Sequence, residues 1–202
     1  MTAVLLVSGS LQAASANTAA LDVITARLVA RGVDTVEVAD ELATIPAFNP
    51  DRTDDHDPAV ASFRARIARA DVVIIASPEY AGAPPGALKN ALDWIVGSAE
   101  LYRKPVALVS AGTSGGVHAR AHLTQSLTWQ GAHVIADLGI EAPRTKTDGA
   151  GRFTDRATLD ALEALADLAI EAPGHADEQR VATVRSVVEA AGIDPRHIAP
   201  PA

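Results

Sequence analysis

The chain has no cysteine in its 202 residues, which excludes disulfides, thiolate catalysis and cysteine-held metal or iron–sulfur centres. It also lacks any concentration of Lys and Arg: the 17 basic residues are scattered and outnumbered by 25 acidic ones, for a net charge of −8. A protein that neutralises a phosphate backbone needs the opposite balance, so no nucleic-acid partner is expected. No apolar run approaches the length of a membrane span, and the start MTAVLLVSG carries no basic leader, so the expectation is no membrane and a cytoplasmic location. Internal repeats and low-complexity linkers are absent too.

What is present suits a folded globular chain, with 48% hydrophobic and 21% charged residues. The length allows one sizeable core and a small appendage. Short runs rich in Val, Ile and Leu occupy 3–8, 34–39, 71–77, 104–110 and 132–140. Most are nearly continuous in apolarity, as strands covered on both faces are. Between them lie stretches with helical spacing at 16–31, 58–69, 86–98 and 117–130, and another follows at 155–171, with Thr154 placed to cap it and Pro173–Gly174 to stop it. Alternation of this kind predicts an α/β fold, a doubly wound parallel sheet with right-handed crossovers. A further amphipathic segment at 176–191 presents Val181, Val184, Val187 and Val188 on one face, so residues 1–172 are expected to form the domain and 173–202 a helical extension.

Ligands of open parallel sheets sit at the carboxyl ends of the strands, near the point where the strand order reverses. The loops after strands one, three and four are the unusual ones. The first, SGSLQAASANTAAL (8–21), brings Gly9, the hydroxyls of Ser8, Ser10, Ser15 and Thr18, and the Asn17 amide to a helix start. Free N–H groups there, joined by hydroxyls, make an anion site suited to phosphate. Capping by Ser15 or Asn17 accounts for only one of these residues. The loop matches neither G-x-G-x-x-G nor G-x-x-x-x-G-K-[ST], which argues against a dinucleotide-first domain and a nucleoside triphosphatase.

The second, SPEYAGAPPGALKNALDW (77–94), stiffens at Pro78, leaves the N–H groups of Glu79, Tyr80 and Ala81 free to face outward, turns at Gly82 and Gly86, and is held extended by Pro84 and Pro85. It reads as a rigid shelf for a flat heterocycle with polar edges. The third, SAGTSGG (110–116), lets backbone approach a ligand closely at Gly112, Gly115 and Gly116, beside Ser110, Thr113 and Ser114. The long irregular connection 40–57 is expected to border a site.

With GSLQAASAN, IPAFNPD, ADVVIIASPEYAGAPPGALKNALDW and KPVALVSAGTSGG in this order over most of residues 1–130, the chain resembles the NADPH-dependent FMN reductase family. The resemblance implies a flavodoxin-like five-stranded sheet of order 2-1-3-4-5, an extra C-terminal helix, FMN as cofactor and NADPH or NADH as co-substrate. It implies that Ser10, Ser15 and Asn17 hold the FMN phosphate, that Pro78, Glu79, Tyr80 and Ala81 lie against the isoalloxazine mostly through backbone groups, and that Ser110, Gly112, Thr113, Gly115 and Gly116 border its other edge. Hydride would pass by ping-pong exchange to a small-molecule electron acceptor such as a flavin, quinone, azo compound or metal oxyanion, with no side chain needed as acid or nucleophile. A homodimer or homotetramer is implied as well.

Two positions depart from the family pattern. Gln12 stands where an arginine is usual, and Ala81 where many members have asparagine. Loss of a guanidinium–phosphate contact is worth about 1–3 kcal/mol, unless the Gln12 amide donates in its place. Gln12→Arg is therefore expected to tighten FMN binding. Three rival readings are weaker. An electron-carrying flavodoxin commonly stacks aromatics on the flavin, whereas this chain is 3% aromatic. A phosphoacceptor receiver needs acids at the end of strand one, and VLLVSGS has none. A metal site at His118, His122 and His133 lacks the glutamate of H-E-x-x-H.

Overall fold

A computed structural model describes residues 2–52 and 57–200. The strands are β1 (Ala3–Ser8), β2 (Thr35–Ala39), β3 (Val72–Ala76), β4 (Pro105–Gly112) and β5 (His133–Glu141). They pair in parallel in the order β2-β1-β3-β4-β5. The chain steps to one side of β1 to make β2 and to the other to make β3, so the reversal lies between β1 and β3, where a crevice opens over the strand ends.

Period-two alternation divides the strands between two apolar layers. Leu5, Val7, Val73, Ile75, Val106 and Leu108 point to one face, where α2 (Pro58–Arg69) adds Phe63, α3 (Gly86–Asp93) adds Leu88, and α4 (Val117–Trp129) adds Leu123. Val4, Leu6, Val72, Ile74, Ala107 and Val109 point to the other, against α1 (Ala16–Ala30) and α5 (Arg156–Glu171). The helix α6 (Asp177–Ala190) packs beside β5 and contributes Val184 and Val188 to this second layer. All five positions of β3 are buried, while β2 is half open, because β3 has a neighbour on each side and β2 is an edge.

Several local expectations are corrected. The cap of α5 is Asp155, whose carboxylate accepts from the Thr158 N–H at 2.9 Å, and not Thr154. The helix α3 stops at Asp93, five residues short of the expected end, where Trp94 turns inward and its indole N–H donates to the Pro46 carbonyl at 2.8 Å. The Asn90 amide accepts from Phe48 N–H and donates to Pro46, and the Phe48 ring meets Trp94 edge-on at 5.3 Å. The described part of the 40–57 connection is therefore held by α3 at Pro46 and Phe48 and by α2 at Glu41, which pairs with Arg66 at 2.8 Å; residues 53–56 lie outside the described residues. Among the described residues, no helix is long and apolar enough to cross a membrane.

Candidate functional site

The three strand-end loops meet in one cleft. A cavity of about 580 Å³ opens over the carboxyl ends of the strands, within the size range of small-molecule and cofactor sites. Its floor and walls include Ser10, Gln12, Ser15 and Asn17 from the first loop, Pro78, Glu79 and Tyr80 from the second, and Gly112 and Thr113 from the third.

At the first loop the chain leaves β1 through Gly9, whose N–H donates to the Ala76 carbonyl of β3 at 2.7 Å. A Cβ at that position would sit 3.0 Å from Leu88, so a bare Cα is what permits the loop to hug the strand end. Ser15 caps α1, its hydroxyl accepting from Thr18 N–H at 3.0 Å. No acidic side chain lies in the first turn of α1, which leaves its positive end uncompensated by the chain itself. Ser10 Oγ accepts from the Gln12 N–H at 3.2 Å, fixing the bend between them.

Asn17 is only 2% exposed. Its side-chain nitrogen donates to the Ala111 carbonyl at 3.1 Å, and its side-chain oxygen accepts from the Ala111 N–H at 2.9 Å. It fastens the first turn of α1 to β4 and so brings the first loop to the third.

The shelf is built differently from the expectation. Tyr80 N–H does not face outward: it donates to the Ala83 carbonyl at 2.9 Å, and Ala83 N–H returns the bond at 3.0 Å. The two residues between, Ala81 and Gly82, have φ of 51° and 75°, the double positive φ of a type I′ turn. Tyr80 is left 56% exposed at the cavity rim. The Glu79 carboxylate accepts from the N–H groups of His118 and Ala119, at 2.8 and 2.9 Å. Gly116 precedes α4 and has no side chain to cap it, so Glu79 supplies the cap from another loop, with its charge at the favourable helix end.

Gly115 and Gly116 both have φ of 64°, and a Cβ on Gly116 would lie 1.9 Å from Ser110 Oγ. Ser110 itself is fully buried beneath that loop, and its hydroxyl has no hydrogen-bond partner among the described residues. Arg120 holds the turn from the side, donating to the Gly115 carbonyl at 2.8 Å and pairing with Asp137 of β5 at 2.5 Å. Of the thirteen positions expected from the sequence, Ala81, Ser110, Gly115 and Gly116 do not line the cavity; they shape the loops that do.

The segment between β5 and α5 was not anticipated. Pro143, Arg144, Thr147, Gly151 and Arg152 close the cavity's outer side. Ala142 N–H donates to the Gly112 carbonyl at 3.1 Å, and Thr147 and Phe153 bridge to fold the segment back on itself. The signal was available in outline: 142–152 follows another strand's carboxyl end and contains the turn sequence DGAGR. His118 and His122 lie on α4, which starts at this edge of the sheet, whereas His133 begins β5 at the opposite edge.

The sequence pattern of the family described as NADPH-dependent FMN reductase matches residues 2–143. An NAD(P)H-dependent FMN reductase of Pseudomonas aeruginosa is 37% identical over 159 residues, covering 75% of this chain and 84% of its own. A quinone reductase of Escherichia coli is 33% identical over 136 residues, covering 63% and 72%. The solved structure of a flavoenzyme NAD(P)H:(acceptor) oxidoreductase from Paracoccus denitrificans superposes with a TM-score of 0.73 at 25% identity, over 85% of this chain and 96% of that one. The fold with its 2-1-3-4-5 sheet, the convergence of the three loops and these likenesses agree: the chain belongs to the NADPH-dependent FMN reductase family.

Proposed function

We propose that the cleft seats FMN with its phosphate at the first turn of α1 and its ring between the 78–83 shelf and the 112–113 backbone, and that NAD(P)H and a small acceptor such as a quinone use the open side in turn. As a member of its family the chain is an oxidoreductase that works with NAD(P)H through FMN. The observation that carries the assignment of the seat is the convergence of three separate strand-end loops on one cavity at the sheet's reversal point.

The residues present fit the cofactor. The start of α1 offers N–H donors and the hydroxyls of Ser10, Ser15 and Thr18 without a neighbouring carboxylate in its first turn, which suits a phosphate. Gly112 and Thr113 at the end of β4 offer backbone to a polar ring edge. Bound FMN supplies the hydride-transfer centre. The protein's part is placement: Pro78 stiffens the shelf, Tyr80 stands at its rim, and Glu79 ties the shelf to the N–H groups of α4. We assign no side chain as acid, base or nucleophile.

The visible spectrum of the purified protein, followed by titration with FMN, tests the reading. A flavin spectrum or saturable quenching is expected; a colourless protein that binds no added FMN would sink it. Steady-state data with NADPH and a quinone should give parallel double-reciprocal lines, since a shared site requires one product to leave before the acceptor enters. By family likeness we also propose a homodimer or homotetramer in the cytoplasm, which sedimentation and fractionation check.

A further inference from the structure

Resting on the reading that the cleft holds FMN, we propose that Arg144, from the segment between β5 and α5, supplies the cationic contact to the FMN phosphate that Gln12 does not provide. Arg144 and Gln12 line the same cavity, together with Ser15 and Thr18 at the start of α1. Two arginines reach that cavity, and their situations differ. Arg152 is already neutralised: its backbone N–H and guanidinium both donate to Asp148 at 2.9 Å, and these bonds hold the Asp148 carboxyl below the usual carboxylate range. Arg144 is exposed and has no ion pair among the described residues.

Its backbone is nevertheless fixed. Pro143 begins a single tight turn in which Thr145 N–H and hydroxyl both donate to the Ala142 carbonyl, at 3.0 and 2.9 Å, and Lys146 N–H donates to Pro143. Ala142 adopts a left-handed φ of 46° and bonds to Gly112, so the turn is anchored to the loop that borders the ring. An unpaired guanidinium on an anchored turn, lining the same cavity as a helix start that offers only neutral donors, matches a doubly charged phosphate monoester, which guanidinium grips through paired hydrogen bonds. Two acids line the cavity: Glu79 gives its carboxylate to the N–H groups of α4, and Asp22 lies a turn further along α1 than Thr18 and opposes the anion weakly from there.

The test compares FMN with riboflavin, which has the same ring and no phosphate, by fluorescence titration of the full chain. Arg144→Gln should weaken FMN about tenfold and leave riboflavin within twofold, the loss expected for one charge-assisted contact. Adding salt should weaken FMN for the unaltered chain more than for the variant. Gln12→Arg should restore FMN affinity to Arg144→Gln and do less for the unaltered chain, because both cations would serve one phosphate. Unchanged FMN affinity in Arg144→Gln overturns the inference and leaves the FMN reading intact. Equal losses for FMN and riboflavin overturn it by showing that Arg144 supports the ring seat. A loss confined to NADPH over NADH, with FMN unaffected, moves the arginine to the dinucleotide and also overturns it. An unaltered chain that binds neither flavin ends both readings.

Discussion

The two ends of the sheet are built on opposite plans. At the amino ends, polar side chains are used on backbone partners. The Lys104 ammonium donates to the Ala70 carbonyl, Asp71 accepts from the Ala3 N–H at 2.8 Å, and buried His133 reaches the Ala199 carbonyl at 3.2 Å through Nε2. At the carboxyl ends the side chains are spent holding loops in place, as Asn17, Glu79 and Arg120 are, and a helix start and a strand-end backbone are left facing a cavity. The contrast separates an end where side chains are used on the backbone itself from one where they set loops around a cavity.

The comparison breaks most sharply at Gly116. Gly116→Ala forces a Cβ onto Ser110 in a left-handed backbone, and the strain and crowding together should cost about 3 kcal/mol in urea unfolding. Wild-type stability in that variant would mean the glycine loop moves freely. Next, Glu79→Ala removes the shared cap of α4 and should cost about 1 kcal/mol, with FMN affinity falling as the shelf loses its tie to that helix. Unaffected FMN binding would detach the shelf from the site. Ala81→Asn should gain roughly 0.5 kcal/mol, because asparagine tolerates the left-handed region that Ala81 occupies at φ 51°. A lowered denaturation midpoint would contradict the turn.

The amino end makes the gentlest prediction, a tilt with pH. Burial pushes the His133 imidazole below its ordinary value of 6.5; the Ala199 carbonyl opposes this, and the charges of Arg180 and Arg103 reinforce it. The fold therefore prefers neutral His133. Its contribution is fully present above the unfolded value near 6.5 and is lost as pH falls from there toward the depressed folded value. Unfolding free energies at pH 7.5 and 5.5 should differ less in His133→Gln than in the unaltered chain; equal differences would show that the histidine is not the cause.

Much of this was legible in the sequence because it was local. The apolar runs specify strands, the alternation specifies a parallel sheet, and Ser15 marks the start of α1 within three residues of its partner Thr18. What the sequence hid depends on distance along the chain. Glu79 finds its amides 39 and 40 residues on, and Asn17 finds Ala111 at a separation of 94, so neither role has a local signature. Tyr80's outward N–H was misread because a Tyr-Ala-Gly-Ala turn of type I′ is usually announced by Asn-Gly, and Ala81 withholds that cue. Arg144 has no local signal because nothing in its turn is apolar or periodic; only the sheet order brings it to the cavity that Gln12 also lines.

The Asn17 carboxamide, with both of its ends occupied by Ala111, acts as a gauge block between two parts of the cleft. It fixes the span from the helix start to the strand-end backbone before any ligand arrives, so a molecule whose charged end and flat end are separated by another length can satisfy one part only. In the proposed seating of FMN, this buried side chain would set the length of spacer that the cleft accepts, apart from its ring and its phosphate, through its two hydrogen bonds to β4.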